Sequence, residues 1–369
     1  MLLAAALLGV CAPLQQALAQ GALSAMEADV DRIATRARPS MLTIIAQRYM
    51  PVPRGSAPGT PRRMHNRVGS GVAVGKDLVL TTSSVLLGAD RIFVLTDNKL
   101  QVEAEVAGID PIFNVALLRV SGLQLPALKL AARKPQLGDW VIVLGSSYGA
   151  EPTQSVGNIA RRWKEPRTSL LQLTNAVYPG NSGGAAINTQ GELVGLVQGE
   201  LGAPEASGRG GDAERRPSGM SFVIPSEDIV PVVDAFRHEG RFRHGFFGVS
   251  TRNVFVDSDT EKGLRVPLGA MVESVAPGGP AAKVGLMKGD LIVAFDGERV
   301  EYSEQLARWV AATRPGTVVN IVWAHDELQR TGKVALGESP SVIPEWMQPA
   351  AAPETAANTR AKGNHDPVR

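Results

Sequence analysis

Between residues 68 and 198 the apolar positions come in short runs, GSGVAV, LVLTT, RIFVLT, VEAEVAGI, VALLRV, DWVIVLG, LLQLTNAV, GAAIN and ELVGLVQ, separated by Gly, Asp and Pro. Short β-rich runs between turn residues predict an all-β barrel or sandwich. Met41 to Ala46 (MLTIIA) reads as a further strand, and the Pro-, Gly- and Arg-rich stretch from Met50 to Arg67 as a loop. Ahead of them, Ser24 and Glu27 have the spacing of a capping box, and Met26, Val30 and Ile33 recur at helical intervals. A short amphipathic helix is therefore predicted there. Ser221 to Pro225 resumes as a strand, and Glu227 to His238 carries a helical pattern.

A second, smaller unit is predicted from Gly245 to Leu336. It has strand patterns FFGVS, GAMVES, DLIVAFD and VVNIVWA, and a helix from Glu304 to Ala312. Asp296-Gly297 between two of these runs is a hairpin signal. Residues 199–219 are rich in glycine and charge without an aliphatic run, and 340–369 are Ala/Pro-rich and polar; both are expected to lack a packed core. The expected organisation is a leader over 1–19, a β-rich domain over 20–240 with the flexible insertion at 199–219, a second domain over 241–339, and a disordered tail. No internal repeat is visible.

Composition narrows the picture. The chain has 369 residues, 44% hydrophobic and 20% charged, which suits two globular domains and excludes wholesale disorder. The formal net charge of +2 gives no support for nucleic-acid binding. With aromatics at 5%, packing must lean on aliphatic side chains. The apolar stretch Leu2 to Leu14 is too short to span a bilayer, and Ala17-Leu18-Ala19 ahead of Gln20 has the small-x-small form of a secretory cleavage site, although no Lys or Arg precedes it. The reading is an exported, periplasmic protein with no membrane span after removal of the leader. Cys11, the only cysteine, falls within that leader; lipoprotein processing there is the alternative. One cysteine permits neither an internal disulfide nor a cysteine metal site.

The chemistry centres on Pro179-Gly180-Asn181-Ser182-Gly183-Gly184, between LLQLTNAV and AAIN. A serine on a tight glycine-flanked turn lets backbone N–H groups converge on one point, as an oxyanion hole requires. In order and spacing, GSGVAV (69–74), VLTTSSVLLGAD (79–90), GIDPIFNVALLRV (108–120), GSSYG (145–149), NAVYPGNSGGAAIN (175–188), ELVGL (192–196) and SFVIPS (221–226) resemble the HtrA/Deg family of exported trypsin-like serine proteases. The resemblance extends from about Ala34 to about Leu336. It implies a mainly β chain: a trypsin-like double β-barrel followed by an α+β PDZ domain.

It also implies a site, with departures. Ser182 stands at the nucleophile position, and Gly180, Asn181 and Ser182 at the oxyanion hole. Ser84 stands where the family has its general-base histidine, and Asn114 where it has the orienting aspartate. A serine hydroxyl is a poor nucleophile without a base to take its proton. Loss of the base costs about 10⁶ in turnover, and an Asp-to-Asn orienter change about 10⁴. The expectation is an inactive relative; the alternatives are an endopeptidase using Ser182 with a non-standard base, or a regulatory partner of an active relative. Of the five histidines, only His65 belongs to the barrel's own sequence, and Lys76 sits in a hairpin turn.

In the second unit, Phe246, Phe247, Gly248 and Val249 resemble the loop that receives a peptide's C-terminal carboxylate, with Leu306 and Val310 on the helix forming the other wall. Unfolded polypeptides or protein C-termini are thus the expected partners, in envelope protein quality control. No metal or organic cofactor is implied. Family members assemble as trimers through N-terminal aromatics; no aromatic lies between Gln20 and Ile45, which puts a homotrimer in doubt.

Overall fold

A computed structural model describes residues 21–50, 52, 55, 57, 60–146, 152–164, 169–200, 221–257, 265–326 and 328–340. The expected leader, the expected tail from residue 341 on, and most of the expected insertion lie outside these residues. Helix α1 occupies residues 21–37. Ser24 lies inside it, so the predicted capping box does not start this helix. Ile33 packs into the barrel core and Val30 packs against it, while Met26, expected on the same face, stays exposed.

Seven strands form the first sheet: β1 (Met41–Tyr49), β2 (Met64–Ala73), β3 (Leu78–Thr81), β4 (Arg91–Leu95), β5 (Gln101–Glu103), β6 (Glu105–Asp110) and β7 (Val115–Arg119). Their order is β5-β4-β1-β2-β3-β7-β6, an antiparallel sheet whose ladder stays open between β5 and β6. β2 begins at Met64, inside the predicted loop, because Met64 to Arg67 pair with Ala46 to Tyr49 while remaining exposed. Backbone pairing holds these residues, and an apolar pattern cannot reveal it. The second sheet closes fully, β10-β13-β12-β11-β8-β9, from β8 (Trp140–Ser146), β9 (Pro152–Lys164), β10 (Ser169–Leu173), β11 (Ala185–Ile187), β12 (Leu193–Glu200) and β13 (Ser221–Pro225).

Helix α2 (Ser226–Glu239) closes the barrel unit. Glu227 and Asp228 in its first turn and Arg237 and His238 in its last suit the helix dipole, and Gly240 ends it in the left-handed region. Ile229, Val232, Val233 and Phe236 bury one face in the barrel core. Phe236 lies so close over Gly108 that a β-carbon there would come within 2.3 Å of its ring.

The second unit contains β14 (Gly245–Phe246), β15 (Val249–Asp257), β16 (Arg265–Val275), α3 (Pro280–Lys283), β17 (Leu291–Phe295), β18 (Glu298–Arg299), α4 (Ser303–Ala312), β19 (Val318–His325), β20 (Leu328–Ala335) and β21 (Gly337–Glu338). Its main sheet runs β15-β16-β17-β19-β20, so β15 is an edge strand. Asp296 and Gly297 both have positive φ, 50° and 86°, the backbone that an Asp-Gly hairpin predicts. β20 escaped the sequence reading because its burial is almost wholly on one position, Val334. Two ion pairs join α4 and the turn after it to α2: Arg308 to Asp228 at 2.8 Å and Arg314 to Glu239 at 3.1 Å. The observed architecture is a β domain of one open and one closed antiparallel sheet followed by a smaller α+β domain, the mainly β two-domain order expected from the sequence.

Candidate functional site

Ser182 lies in the turn between β10 and β11, at the seam of the two sheets. Its carbonyl accepts Ser70 N–H of β2 at 2.7 Å, and Gly183 N–H donates to Val197 O of β12 at 2.7 Å. The next position tolerates no side chain. Gly183 has φ 84°, and a β-carbon would come within 2.2 Å of Ser70 O and 2.4 Å of Thr81 Oγ1. This explains the Gly-Gly after the serine by close backbone approach.

The turn is held by hydroxyls and amides. Ser70, fully buried, donates from Oγ to Gly180 O and accepts Ser146 N–H, both at 2.7 Å. Thr81 Oγ1 donates to Ser70 O at 2.8 Å. Asn181 is 1% exposed. Its N–H donates to Tyr178 O at 2.9 Å, its Oδ1 accepts Tyr178 N–H at 2.6 Å, and its Nδ2 donates to Thr153 Oγ1 at 3.0 Å.

The Asn181 bonds correct one expectation. The Asn181 N–H is spent inside the turn, so it cannot be a donor to an oxyanion; Asn181 is a scaffold. Among the described residues, Gly180 N–H and Ser182 N–H have no protein acceptor. Those two are the donors the turn presents.

The structure brings Ser84 and Asn114 together. Ser84 sits in the 3-10 turn Ser83–Leu86 after β3. Asn114 Oδ1 accepts Ser84 N–H at 2.9 Å and Ser83 Oγ–H at 3.0 Å. Ser84 Oγ donates to Thr82 Oγ1 at 3.2 Å, and its carbonyl accepts from Arg67 at 2.8 Å. Asn114 has φ 54°, a left-handed conformation that Asn and Asp tolerate best among side-chain-bearing residues. The Ser83–Leu86 turn meets the serine turn across Gly69: a β-carbon there would lie 2.6 Å from Val85 and 3.1 Å from Ser182 O.

The Ser182 hydroxyl donates to Gln198 O at 3.3 Å. A backbone carbonyl accepts a hydrogen bond but cannot take the proton, so this contact parks the hydroxyl rather than activating it. Among the described residues no imidazole or carboxylate bonds to Ser182 or Ser84. His65 lies exposed on β2 opposite Arg48, and Lys76 lies in the turn between β2 and β3. Ser70, Gln198 and Thr82 were missed by sequence reading, since single polar residues in or beside strands carry no motif.

In the second unit, Gly248 has φ 84°. The carbonyls of Phe247 and Gly248 accept Ala281 and Ala276 N–H at 3.0 and 2.8 Å. In a trans peptide the following N–H points opposite to the carbonyl. The N–H groups of Gly248 and Val249 therefore face away from the domain, beside the free edge of β15. Phe247, Leu306 and Val310 are 2%, 1% and 7% exposed and belong to the core. Phe246 and Val249 are half-buried. Asn253 of β15 reaches α4, accepting Ser303 N–H at 2.7 Å and donating to Glu304 at 3.0 Å.

Comparisons with known proteins agree with this division. Residues 69–196 match the trypsin-like peptidase domain family, and 245–336 match the PDZ domain family. The chain is 32% identical over 332 residues to a protein of Pseudomonas fulva described as a probable periplasmic serine endoprotease DegP-like, covering 88% of this chain and 67% of that one. A protein of Ectopseudomonas mendocina with the same description is 32% identical over 330 residues, covering 88% and 66%. The chain thus spans about two thirds of the length of these relatives. Among solved structures, the serine endoprotease from Yersinia pestis superposes with TM-score 0.60 at 26% identity, covering 84% of this chain and 98% of that one. The HtrA-type protease AlgW with a tripeptide superposes with TM-score 0.65 at 24% identity, covering 84% and 97%.

Proposed function

The chain belongs to the family of DegP-like serine endoproteases, and from that premise we propose that it binds polypeptides in the cell envelope without cleaving them. The observation that carries this reading is the environment of Ser182, whose hydroxyl rests on a backbone carbonyl with no basic side chain bonded to it among the described residues. In the proposed assignment Ser84 occupies the base position and Asn114 the orienter position. Neither side chain takes up a proton at neutral pH. The oxyanion donors Gly180 and Ser182 persist, so the cleft keeps a place for a peptide carbonyl while lacking the proton transfer that cleavage needs.

Recognition is assigned to the PDZ domain. An extended C-terminal segment would add as a strand to the free edge of β15, its carboxylate on the Gly248 and Val249 N–H groups. That one solved structural relative is described with a bound tripeptide supports the same reading. The periplasmic description of the relatives supports an envelope location.

The test is incubation of the purified protein with unfolded casein, beside Ser182→Ala. We expect no cleavage by either and co-sedimentation of casein with both. Cleavage that disappears in Ser182→Ala would overturn the proposal in favour of an endopeptidase with a non-standard base.

A further inference from the structure

His244 follows the barrel's last helix and precedes β14, at the junction of the two domains. Its ring joins an aromatic cluster, stacked on Phe113 of the barrel with centroids 5.8 Å apart and tilted against Phe242 of the linker at 5.1 Å. Both ring nitrogens face acceptors. Nε2 lies 2.8 Å from Asp110 Oδ2 of the barrel, and Nδ1 lies 2.9 Å from Ala311 O of α4. A carbonyl can only accept, so Nδ1 must carry a proton. Asp110 is 2% exposed and its other oxygen accepts Ile112 and Phe113 N–H at 2.9 and 3.0 Å. It too acts as an acceptor, so Nε2 must carry the second proton. With Asp110 as a carboxylate, both contacts together are made only by an imidazolium.

We propose that His244 is a proton-operated clasp between the domains: the imidazolium ties Asp110 of the barrel to Ala311 of the peptide-groove helix, and its deprotonation releases one of the two. A neutral ring has one N–H, so one nitrogen lone pair must then face either the Ala311 carbonyl or the Asp110 carboxylate, across a largely buried contact. The clasp reaches further than its own bonds. Asp110 heads the turn that ends in Asn114, and Asn114 holds the backbone of Ser84.

The surrounding charges leave Asp110 as the partner of His244. Arg241, Arg243 and Glu338 line the same cleft, but Glu338 accepts from Arg241 at 3.3 Å and from Arg243 at 3.0 Å. On the α2 side, Asp228 and Glu239 pair with Arg308 and Arg314. Burial pulls the His244 pKa down, but the Asp110 hydrogen bond and charge, with the Ala311 carbonyl, outweigh it, and the net shift is upward from 6.5. The sign follows from linkage. A pKa raised by folding gives stabilisation fully present below the unfolded value and lost as pH rises through the folded one. The domains are therefore held together in acid and loosened in alkali.

The test places spin labels on the full chain at two exposed sites, Gln101→Cys on the barrel and Gln329→Cys on the PDZ domain, with Cys11→Ser. Distances are measured from about pH 5 to about pH 9, where a histidine titrates. We expect one narrow distance in acid that broadens with a midpoint above 6.5, and a His244 ring NMR titration with the same midpoint. His244→Phe keeps the ring stacking but cannot bridge, and should give the broad distribution at every pH. Asp110→Asn, a milder change, should abolish most of the pH dependence with both domains folded by circular dichroism. A distance distribution independent of pH, a ring midpoint at or below 6.5, or a His244→Phe profile matching the parent would each overturn the clasp.

Discussion

Asn114 accepts the backbone N–H of Ser84 through its side-chain oxygen at 2.9 Å. The two positions proposed for orienter and base are thus already joined, and the bond uses an oxygen that an aspartate would also possess. A carboxylate at 114 would keep that bond and have its second oxygen free for an imidazole. The left-handed backbone at 114, φ 54°, suits Asp as well as Asn. On the proposed assignment, the departure lies in side-chain chemistry at two positions that the backbone still holds together.

From this scaffold we expect repair to work. Ser84→His with Asn114→Asp should restore measurable casein cleavage, and adding Ser182→Ala should abolish it. Either single substitution should give much less than the pair, because base and orienter act as a unit. Silence in the folded double variant would show that the cleft no longer seats a substrate carbonyl against Gly180 and Ser182.

The unmodified protein should leave organophosphorus probes untouched. Such reagents report an activated serine, and among the described residues Ser182 has only the Gln198 carbonyl at 3.3 Å for its proton. Intact-mass spectrometry after prolonged exposure should show no adduct. Stoichiometric labelling at Ser182 would identify a base that the described contacts do not contain.

How legible was this in the sequence? The strand runs, the Asp296-Gly297 hairpin and the order of the two domains were readable because each rests on local pattern. The Gly183-Gly184 pair was readable too, since close approach leaves a residue-type signature. Asn181 was misassigned because its N–H is consumed by Tyr178, three residues back, a matter of turn geometry rather than of residue type. The roles of Phe247, Leu306 and Val310 were less legible, since an apolar residue looks alike whether it lines a groove or belongs only to the core. Ser70 and His244 were beyond reach, since their partners lie 110 residues and 67 residues away in sequence.

Ser70 offers a test of the oxyanion turn by itself. Its hydroxyl satisfies a buried N–H on Ser146 and a carbonyl on Gly180. Ser70→Ala leaves both unpaired, which costs about 1–3 kcal/mol for a buried polar group. We expect a lowered denaturant midpoint with an unchanged slope, and loss of the cleavage restored in the repaired variant. Ser182→Ala, which removes only a weak half-buried contact, should move the midpoint far less. Equal effects of the two would remove Ser70 from its place as the anchor of the turn.

The last expectation concerns the groove. The donors proposed to hold a carboxylate are backbone N–H groups of Gly248 and Val249, so no side-chain deletion removes them. Blocking is the available route. Gly248 has φ 84°, and a β-carbon there would lie 3.2 Å from the Phe246 ring and 3.4 Å from Ala276. Gly248→Val should therefore crowd the carboxylate site and strain the loop together, with a strain of about 1–3 kcal/mol. Since a strained loop alone could weaken binding, a second measurement leaves the protein unchanged and alters the ligand. A peptide with a free C-terminus should bind in the micromolar range, about −8 kcal/mol or weaker, and its C-terminal amide distinctly less well. Hydrogen bonds to a charged acceptor are about twice as strong as neutral ones, and the amide forfeits that charge. Acid and amide peptides of equal affinity, measured by calorimetry on the full chain, would show that the β15 edge receives a strand by its backbone alone. The glycine at 248 would then serve the turn between β14 and β15 rather than the ligand.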